Sequence, residues 1–192
     1  DRTKLDITDK IESEKTIIEN KPDIVINCAA YTDVDGCESN YDTAYLVNAT
    51  ASGYIASACN KIQAKVVNIS SDYIFHGEAV KPYKEDDTTG PVSNYGKTKL
   101  AGEEETIENC DDFLIIRTSW LYGPVGKKNF VLTILKQAID GKRLRVVNDQ
   151  RGSPTYSIDI ADAILFLALN GYKGIFNVTN SGSCTWYDFA CN

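Results

Sequence analysis

The chain contains no methionine, one histidine and no pair of cysteines spaced C-x-x-C among its 192 residues. With His76 alone and no such pair, the usual zinc-knuckle and dithiol redox spacings are missing, and no metal site is expected. The six cysteines (Cys28, Cys37, Cys59, Cys110, Cys184 and Cys191) read as buried or half-buried thiols of a reducing cytosol. Basic residues are outnumbered: 20 Lys and Arg against 27 Asp and Glu leave a net charge of −7. A surface of that sign repels phosphate backbones, so no nucleic-acid partner is expected. No apolar run reaches the roughly 18–20 residues that cross a bilayer. The charged start, DRTKLDITDK, lacks the apolar stretch of a signal peptide. No membrane partner is expected, and the cytoplasm is the expected compartment. The missing Met and an end inside a helical pattern (TWYDFACN) suggest a piece of a longer protein.

What is present is ordinary globular material. Hydrophobic residues make up 43% and charged residues 24%, enough apolar surface to bury against the entropy of ordering the chain. The length suits one domain or one and a half. Residues 9–20 read as a short amphipathic helix, with Thr8 as a possible cap and Asn20 as its end. Residues 23–28 are a continuous apolar run, the pattern of a strand buried on both faces of a parallel sheet. Residues 40–60 read as helix, 65–70 as strand, 76–92 as a long polar loop and 94–109 as helix. Strand follows at 113–118, helix at 129–140, a short strand at 144–147, an apolar helix at 157–169 and a last strand at 174–178. Strands alternating with helices of this length predict βαβ units. The fold class is therefore α/β: a Rossmann-like, doubly wound parallel sheet with helices on both faces. Residues 1–120 form its partial cofactor-binding domain. Residues 121–192 form a mixed region that supplies the start of a smaller substrate-binding lobe and the last Rossmann elements.

In such sheets ligands bind at the carboxyl ends of the strands. There the chain places Cys28-Ala29-Ala30-Tyr31-Thr32, Ser70-Ser71-Asp72-Tyr73 and Thr118-Ser119-Trp120-Leu121-Tyr122-Gly123. The sharpest chemical signal is Tyr95-Gly96-Lys97-Thr98-Lys99 at a helix start. Tyr95 and Lys99, four apart, share one helical face. An ammonium close to a phenol favours the phenolate and lowers the phenol pKa. A tuned tyrosine can exchange a proton with a carbonyl or alcohol oxygen, and the Ser71 hydroxyl could hydrogen-bond the same oxygen. The hydride for carbonyl reduction must come from a cofactor.

These residues, in this order, resemble the extended short-chain dehydrogenase/reductases and, within them, the dTDP-4-dehydrorhamnose reductase family. The matching stretches are residues 23–35 (DIVINCAAYTDVD), 47–49 (VNA), 70–75 (SSDYIF), 95–103 (YGKTKLAGE), 117–122 (RTSWLY), 129–131 (NFV) and 148–155 (NDQRGSPT). The resemblance implies NADPH- or NADH-dependent reduction of the C4 keto group of dTDP-4-dehydro-L-rhamnose to dTDP-L-rhamnose. It implies that Tyr95 is the general acid, that Lys99 holds the nicotinamide ribose and lowers the Tyr95 pKa, and that Ser71 replaces the family's usual Thr with its hydroxyl kept. Asp72, Tyr73 and Trp120, with Ser71, would contact the sugar nucleotide. Asp6 and Ile7 would lie near the adenine, Ala30, Tyr31 and Thr32 along the cofactor, and Asn48 behind the nicotinamide. A homodimer is the expected assembly. The family's opening strand and Gly-rich turn, which seats a pyrophosphate on a helix N-terminus, has no match here. Roughly 30 to 40 residues of a first βα unit would precede Asp1, and without them the chain alone is expected to be inactive.

Plainer readings stand beside these. Trp120 also suits a core aromatic, Asp72 a turn residue, and Asp6 a helix cap. His76 and Lys97 read as solvated, and Glu103-Glu104-Glu105 as a solvent-facing helix side. Asp149-Gln150-Arg151 suits either a substrate diphosphate, through the guanidinium, or a surface salt bridge. Similar sequences include a non-catalytic regulatory subunit that binds methionine adenosyltransferase, so a cofactor-binding regulatory module is the alternative function. An epimerase or dehydratase of the same superfamily ranks lower, because Asp72-Tyr73 follows Ser71 where a dehydratase typically has Asp-Glu.

Overall fold

The computed structural model describes residues 5–125 and 129–192. It divides into two compact units, Asp1–Arg117 with Leu167–Asn177, and Thr118–Phe166 with Val178–Asn192.

The first unit opens with α1 (Lys10–Asn20), capped by Asp9, whose side chain accepts from the Glu12 N–H. The expected cap, Thr8, instead donates its N–H and hydroxyl to the Asp6 carboxylate, at 3.1 and 2.7 Å. β1 (Ile24–Asn27) follows, then α2 (Val34–Ser39), a short helix inside a stretch too polar and Gly-containing to signal one. The helix expected over 40–60 is three pieces: α3 (Tyr41–Tyr45), a π-helical turn (Leu46–Thr50) and α4 (Ala51–Lys61). The π turn inserts one extra residue and buries Asn48. β2 (Lys65–Ser71) runs into a 3-10 turn (Asp72–Ile74), followed by the loop 76–92, α5 (Asn94–Asn109) and β3 (Phe113–Thr118).

In the second unit lie β4 (Leu121–Tyr122), α6 (Phe130–Ile139), β5 (Arg151–Gly152) and β6 (Thr155–Tyr156). α7 (Ser157–Leu169) leads to β7 (Gly174–Asn177), which belongs to the first unit, and β8 (Cys184–Thr185) and α8 (Trp186–Cys191) close the chain. β4 pairs in parallel with β6, and β5 antiparallel with β8. Residues 144–147 are not a strand. Arg145 interrupts the run, and Val147 is half exposed, its carbonyl accepting from Tyr187 N–H.

The main sheet has the order β1-β2-β3-β7. β1 lies parallel to β2, Ile24 opposite Lys65, and β3 parallel to β7, Leu114 opposite Gly174. The two central strands are buried as runs and not in alternation: Val66 and Val67 in β2, and Leu114, Ile115 and Ile116 in β3. That is the signature of a sheet covered by helices on both faces. β1 departs from its expected double burial, since Ile26 is 39% exposed and, among the described residues, β1 pairs with β2 alone. One side of the core joins Ile17 of α1 to Ile55, Ala56, Ala58 and Cys59 of α4 and Val66 of β2. The cysteines are more varied than expected: Cys37, Cys59 and Cys110 are buried, Cys184 half-buried, and Cys28 and Cys191 exposed. Among the described residues no helix is long and apolar enough to cross a membrane.

Candidate active site

The strand-end residues of β2 and the first turns of α5 meet at one place. Ser93 caps α5, its hydroxyl accepting from the Gly96 N–H at 3.1 Å. A Cβ on Gly96 would overlap the Tyr73 carbonyl oxygen, so only glycine lets the helix start lie against the 3-10 turn. The same holds one and a half turns on, where a Cβ on Gly102 would overlap the Asn48 carbonyl oxygen. These two close approaches set where Tyr95 and Lys99 stand.

Ser71 is buried at the end of β2. Its hydroxyl donates to the Asp72 carboxylate at 3.1 Å, accepts from the Tyr73 N–H at 3.3 Å, and is hydrogen-bonded to the Tyr95 side chain. The Tyr73 ring stands edge-on to Tyr95 at 5.4 Å. Lys99 is 4% exposed, and its Nζ donates to the Ile69 carbonyl at 2.6 Å. An ammonium has three N–H donors. Among the described residues the Ile69 carbonyl is the acceptor found for Lys99, which leaves two N–H groups for a ligand such as a ribose diol and fits a nicotinamide nucleotide.

Burial governs the protonation of all four groups, because it disfavours whichever form is charged. It pushes the Tyr95 phenol up to about 12, against the opposing hydrogen bond from Ser71. It pushes Asp72 up to about 6, against hydrogen bonds from Ser71 and the backbone. The Tyr73 phenol is also raised, by burial and then by the charge of Asp72. Lys99 is pulled down to about 8, with Glu103 and then Cys28 resisting. Without ligands, burial keeps Tyr95 a neutral phenol at neutral pH. The Lys99 ammonium is directed to the Ile69 carbonyl.

The turn after β1 is tied to the same helix. Asn48, from the π turn, accepts from Tyr31 N–H at 2.8 Å and donates to the Tyr31 carbonyl at 3.2 Å and to Thr98 Oγ1 at 3.0 Å. Thr98 in turn donates to the Tyr95 carbonyl at 2.8 Å. Ala30 and Tyr31 are half-buried and Thr32 is exposed. Behind them, Asn27 donates to Asn68 Oδ1, and Asn68 donates to Thr106 Oγ1 and the Gly102 carbonyl, so β1, β2 and α5 share one buried amide network. Asp6 and Ile7 lie ahead of α1, Asp6 closing the turn with Thr8.

In the second unit, Trp120 takes a left-handed backbone (φ 49°), and its ring stacks on Trp186 with centroids 3.5 Å apart. Gly152 lies so close to this ring that a Cβ there would overlap it. The two motifs RTSW and GSPT meet here: Ser119 donates to the Ser153 carbonyl at 2.7 Å, and the Thr155 N–H to the Trp120 carbonyl at 3.2 Å. Arg151 and Asp149 are exposed, and Arg151 leans on Ser183 at 3.4 Å.

The structure brings Ser71, Asp72, Tyr73, Tyr95 and Lys99 together and ties Tyr31 to them through Asn48. It places Trp120 in the other unit. His76 and Lys97 are exposed, as read. Glu103 is not on a solvent face: it is buried and held by Arg117 and Ser70. Its spacing of four from Lys99 was the signal in the sequence. Trp186 gave no signal of its own, and Gly96 and Gly102 lay inside the YGKTKLAGE stretch with no role read for them.

A family model described as the RmlD substrate binding domain matches residues 1–192. The spore coat polysaccharide biosynthesis protein SpsK of Bacillus subtilis is 49% identical over 170 residues, 88% of this chain and 59% of that protein. The dTDP-4-dehydrorhamnose reductase of Escherichia coli K12 is 42% identical over 181 residues, 92% of this chain and 60% of that protein. A crystal structure of dTDP-4-dehydrorhamnose reductase from Bacillus anthracis in complex with NADP superposes with a TM-score of 0.96 at 40% identity, covering 100% of this chain and 68% of that one. The chain thus spans about three fifths of the length of these curated relatives.

Proposed function

Because the chain belongs to the RmlD substrate binding domain family, we propose that the protein is an NADPH- or NADH-dependent reductase of a nucleotide-activated 4-keto-6-deoxy sugar, dTDP-4-dehydro-L-rhamnose first among them. The observation that carries this reading is the meeting of Ser71, Tyr95 and Lys99 at the end of β2. A proton donor, a hydroxyl and a buried cation with spare N–H groups are the parts that carbonyl reduction asks of a protein.

When bound, the reduced nicotinamide supplies the hydride. The chain's residues handle the proton and the geometry. Tyr95, kept neutral by burial, gives its phenolic proton to the C4 oxygen, which becomes the alcohol. The Ser71 hydroxyl hydrogen-bonds that oxygen and, afterwards, the Tyr95 phenolate. Lys99 turns its spare N–H groups to the nicotinamide ribose, and its charge favours the phenolate until a solvent proton restores the phenol. Ala30, Tyr31 and Thr32 line the cofactor, with Asn48 fixing the Tyr31 backbone, and Asp6 and Ile7 stand toward the adenine. Asp72 and Tyr73 contact the sugar nucleotide. Trp120 is assigned to the sugar on the family's pattern alone.

The test is nicotinamide oxidation by the full-length protein supplied with dTDP-4-keto-6-deoxy-L-mannose. Turnover that depends on this sugar supports the reading. A folded protein that binds the nucleotide and turns over no keto sugar replaces it with the regulatory module.

A further inference from the structure

The site described above leaves one cluster without a role. Glu103 is 1% exposed and Arg117 5% exposed. Arg117 donates Nε and Nη2 to the Glu103 carboxylate, the shorter contact at 2.7 Å, and Nη1 to the Glu85 carbonyl at 2.9 Å. Ser70 Oγ donates to the same carboxylate. A buried ion pair loses much of its hydration, and apolar residues of equal volume often serve stability as well or better. Stability alone is thus a weak reason for a pair here.

Its place along α5 supplies another. Tyr95, Lys99 and Glu103 follow one another at four-residue steps, so they lie on one side of the helix. They meet three consecutive residues of β2: Tyr95 the Ser71 hydroxyl, Lys99 the Ile69 carbonyl, and Glu103 the Ser70 hydroxyl. Glu103 is also locked from a third element, by Arg117 of β3.

We propose that Glu103, clamped by Arg117 and Ser70, is a positioning residue: it fixes α5 along β2 so that Tyr95 meets Ser71 and Lys99 meets the Ile69 carbonyl. The proposal rests on the reductase reading for its consequence in turnover. The charged and titratable groups around the cluster are Glu103 and Tyr95 on α5, Arg117 on β3, Cys28 after β1 and Asp72 after β2. Of these, Glu103 resists the loss of the Lys99 proton most strongly, and Cys28 next.

The experiment compares the full-length wild type with Glu103→Gln, titrating Lys99 by NMR of 13C-labelled lysine without cofactor or sugar. The pH profile of kcat is measured in parallel. The expected result is a Lys99 midpoint lowered by about one pH unit, with the alkaline limb of kcat lowered alike. At neutral pH kcat falls by about tenfold, while KM stays within about threefold. A folded Glu103→Gln protein with an unmoved Lys99 midpoint and an unmoved pH profile overturns the proposal. Should this variant not fold, Ser70→Ala removes one hydroxyl and leaves the ion pair; it is expected to lower kcat by about threefold at constant KM, and an unchanged kcat overturns the proposal. A wild type that reduces no keto sugar sinks the reductase reading, whereas the lysine titration needs no turnover and still decides this one.

Discussion

At the scale of single residues, two side chains make separable predictions. Tyr95→Phe removes the transferable proton and leaves the ring in its pocket beside Tyr73. Turnover of the full-length protein is expected to fall by about a hundredfold or more, with nicotinamide nucleotide affinity nearly unchanged; calorimetry beside steady-state rates checks both. Near-normal turnover would remove Tyr95 from the mechanism. Asp72 makes a prediction about pH. Its carboxyl is raised to about 6 from an ordinary 3.8, so the folded state binds this proton more tightly than the unfolded chain. The resulting stabilisation is present in full below the unfolded value and is lost as the pH rises through about 6. Asp72→Asn is expected to lack this dependence. The difference in unfolding free energy between wild type and variant should therefore shift against the wild type between pH 4 and 6. A difference that stays flat over that range contradicts the assignment.

At the scale of elements, α5 carries most of the site and was also the element most legible in the sequence. Tyr95 and Lys99, four apart, marked it as a helix, and the residues read, 94–109, are its observed bounds. The apolar runs of β2 and β3 were equally plain, because a strand covered on both faces has no polar side to interrupt the pattern. The burial of Glu103 was not legible in that way. Its partners Ser70 and Arg117 lie on two other strands, and three glutamates in a row read as solvated until those partners are known. The π turn was hidden for a related reason: its effect is to aim Asn48 at Tyr31 and Thr98, contacts far apart in sequence. Two predictions belong to this scale. An alanine at a helix position normally gains about 1 kcal/mol over glycine. Gly96→Ala and Gly102→Ala are nonetheless expected to destabilise by about 1–3 kcal/mol, since each new methyl meets a backbone oxygen that has little room to yield. Arg117→Met is expected to cost about 3–5 kcal/mol by leaving the Glu103 charge buried and unpaired. Chemical denaturation of the full-length variants measures all three, and stabilisation by either alanine would show that the helix can shift.

For the whole molecule, the sheet order predicts where the fold opens first. β2 and β3 lie between other strands and hold the most deeply buried side chains, while β7 and β1 flank them. Amide hydrogen exchange is expected to be slowest in Val66, Val67, Leu114, Ile115 and Ile116, and faster in Ile24–Asn27 and Gly174–Asn177. Uniform protection across the four strands would contradict this ranking. The sheet's parallel character followed from alternating strands and helices, and the irregular segment at 144–147 did not. Leu144 and Val146 look like a strand in sequence, but a strand exists only where another backbone receives its hydrogen bonds. The two glycines of α5 carry a last consequence. Imagine every position of the chain replaced by every residue and the survivors counted, by someone who knows nothing of its chemistry. Columns 96 and 102 would be nearly empty, with the solvated Lys97 and Glu104 among tolerant columns near them. The tally would thus trace the seam where helix meets turn, and anyone following that seam would come upon Tyr95 and Lys99 before a single substrate had been tried.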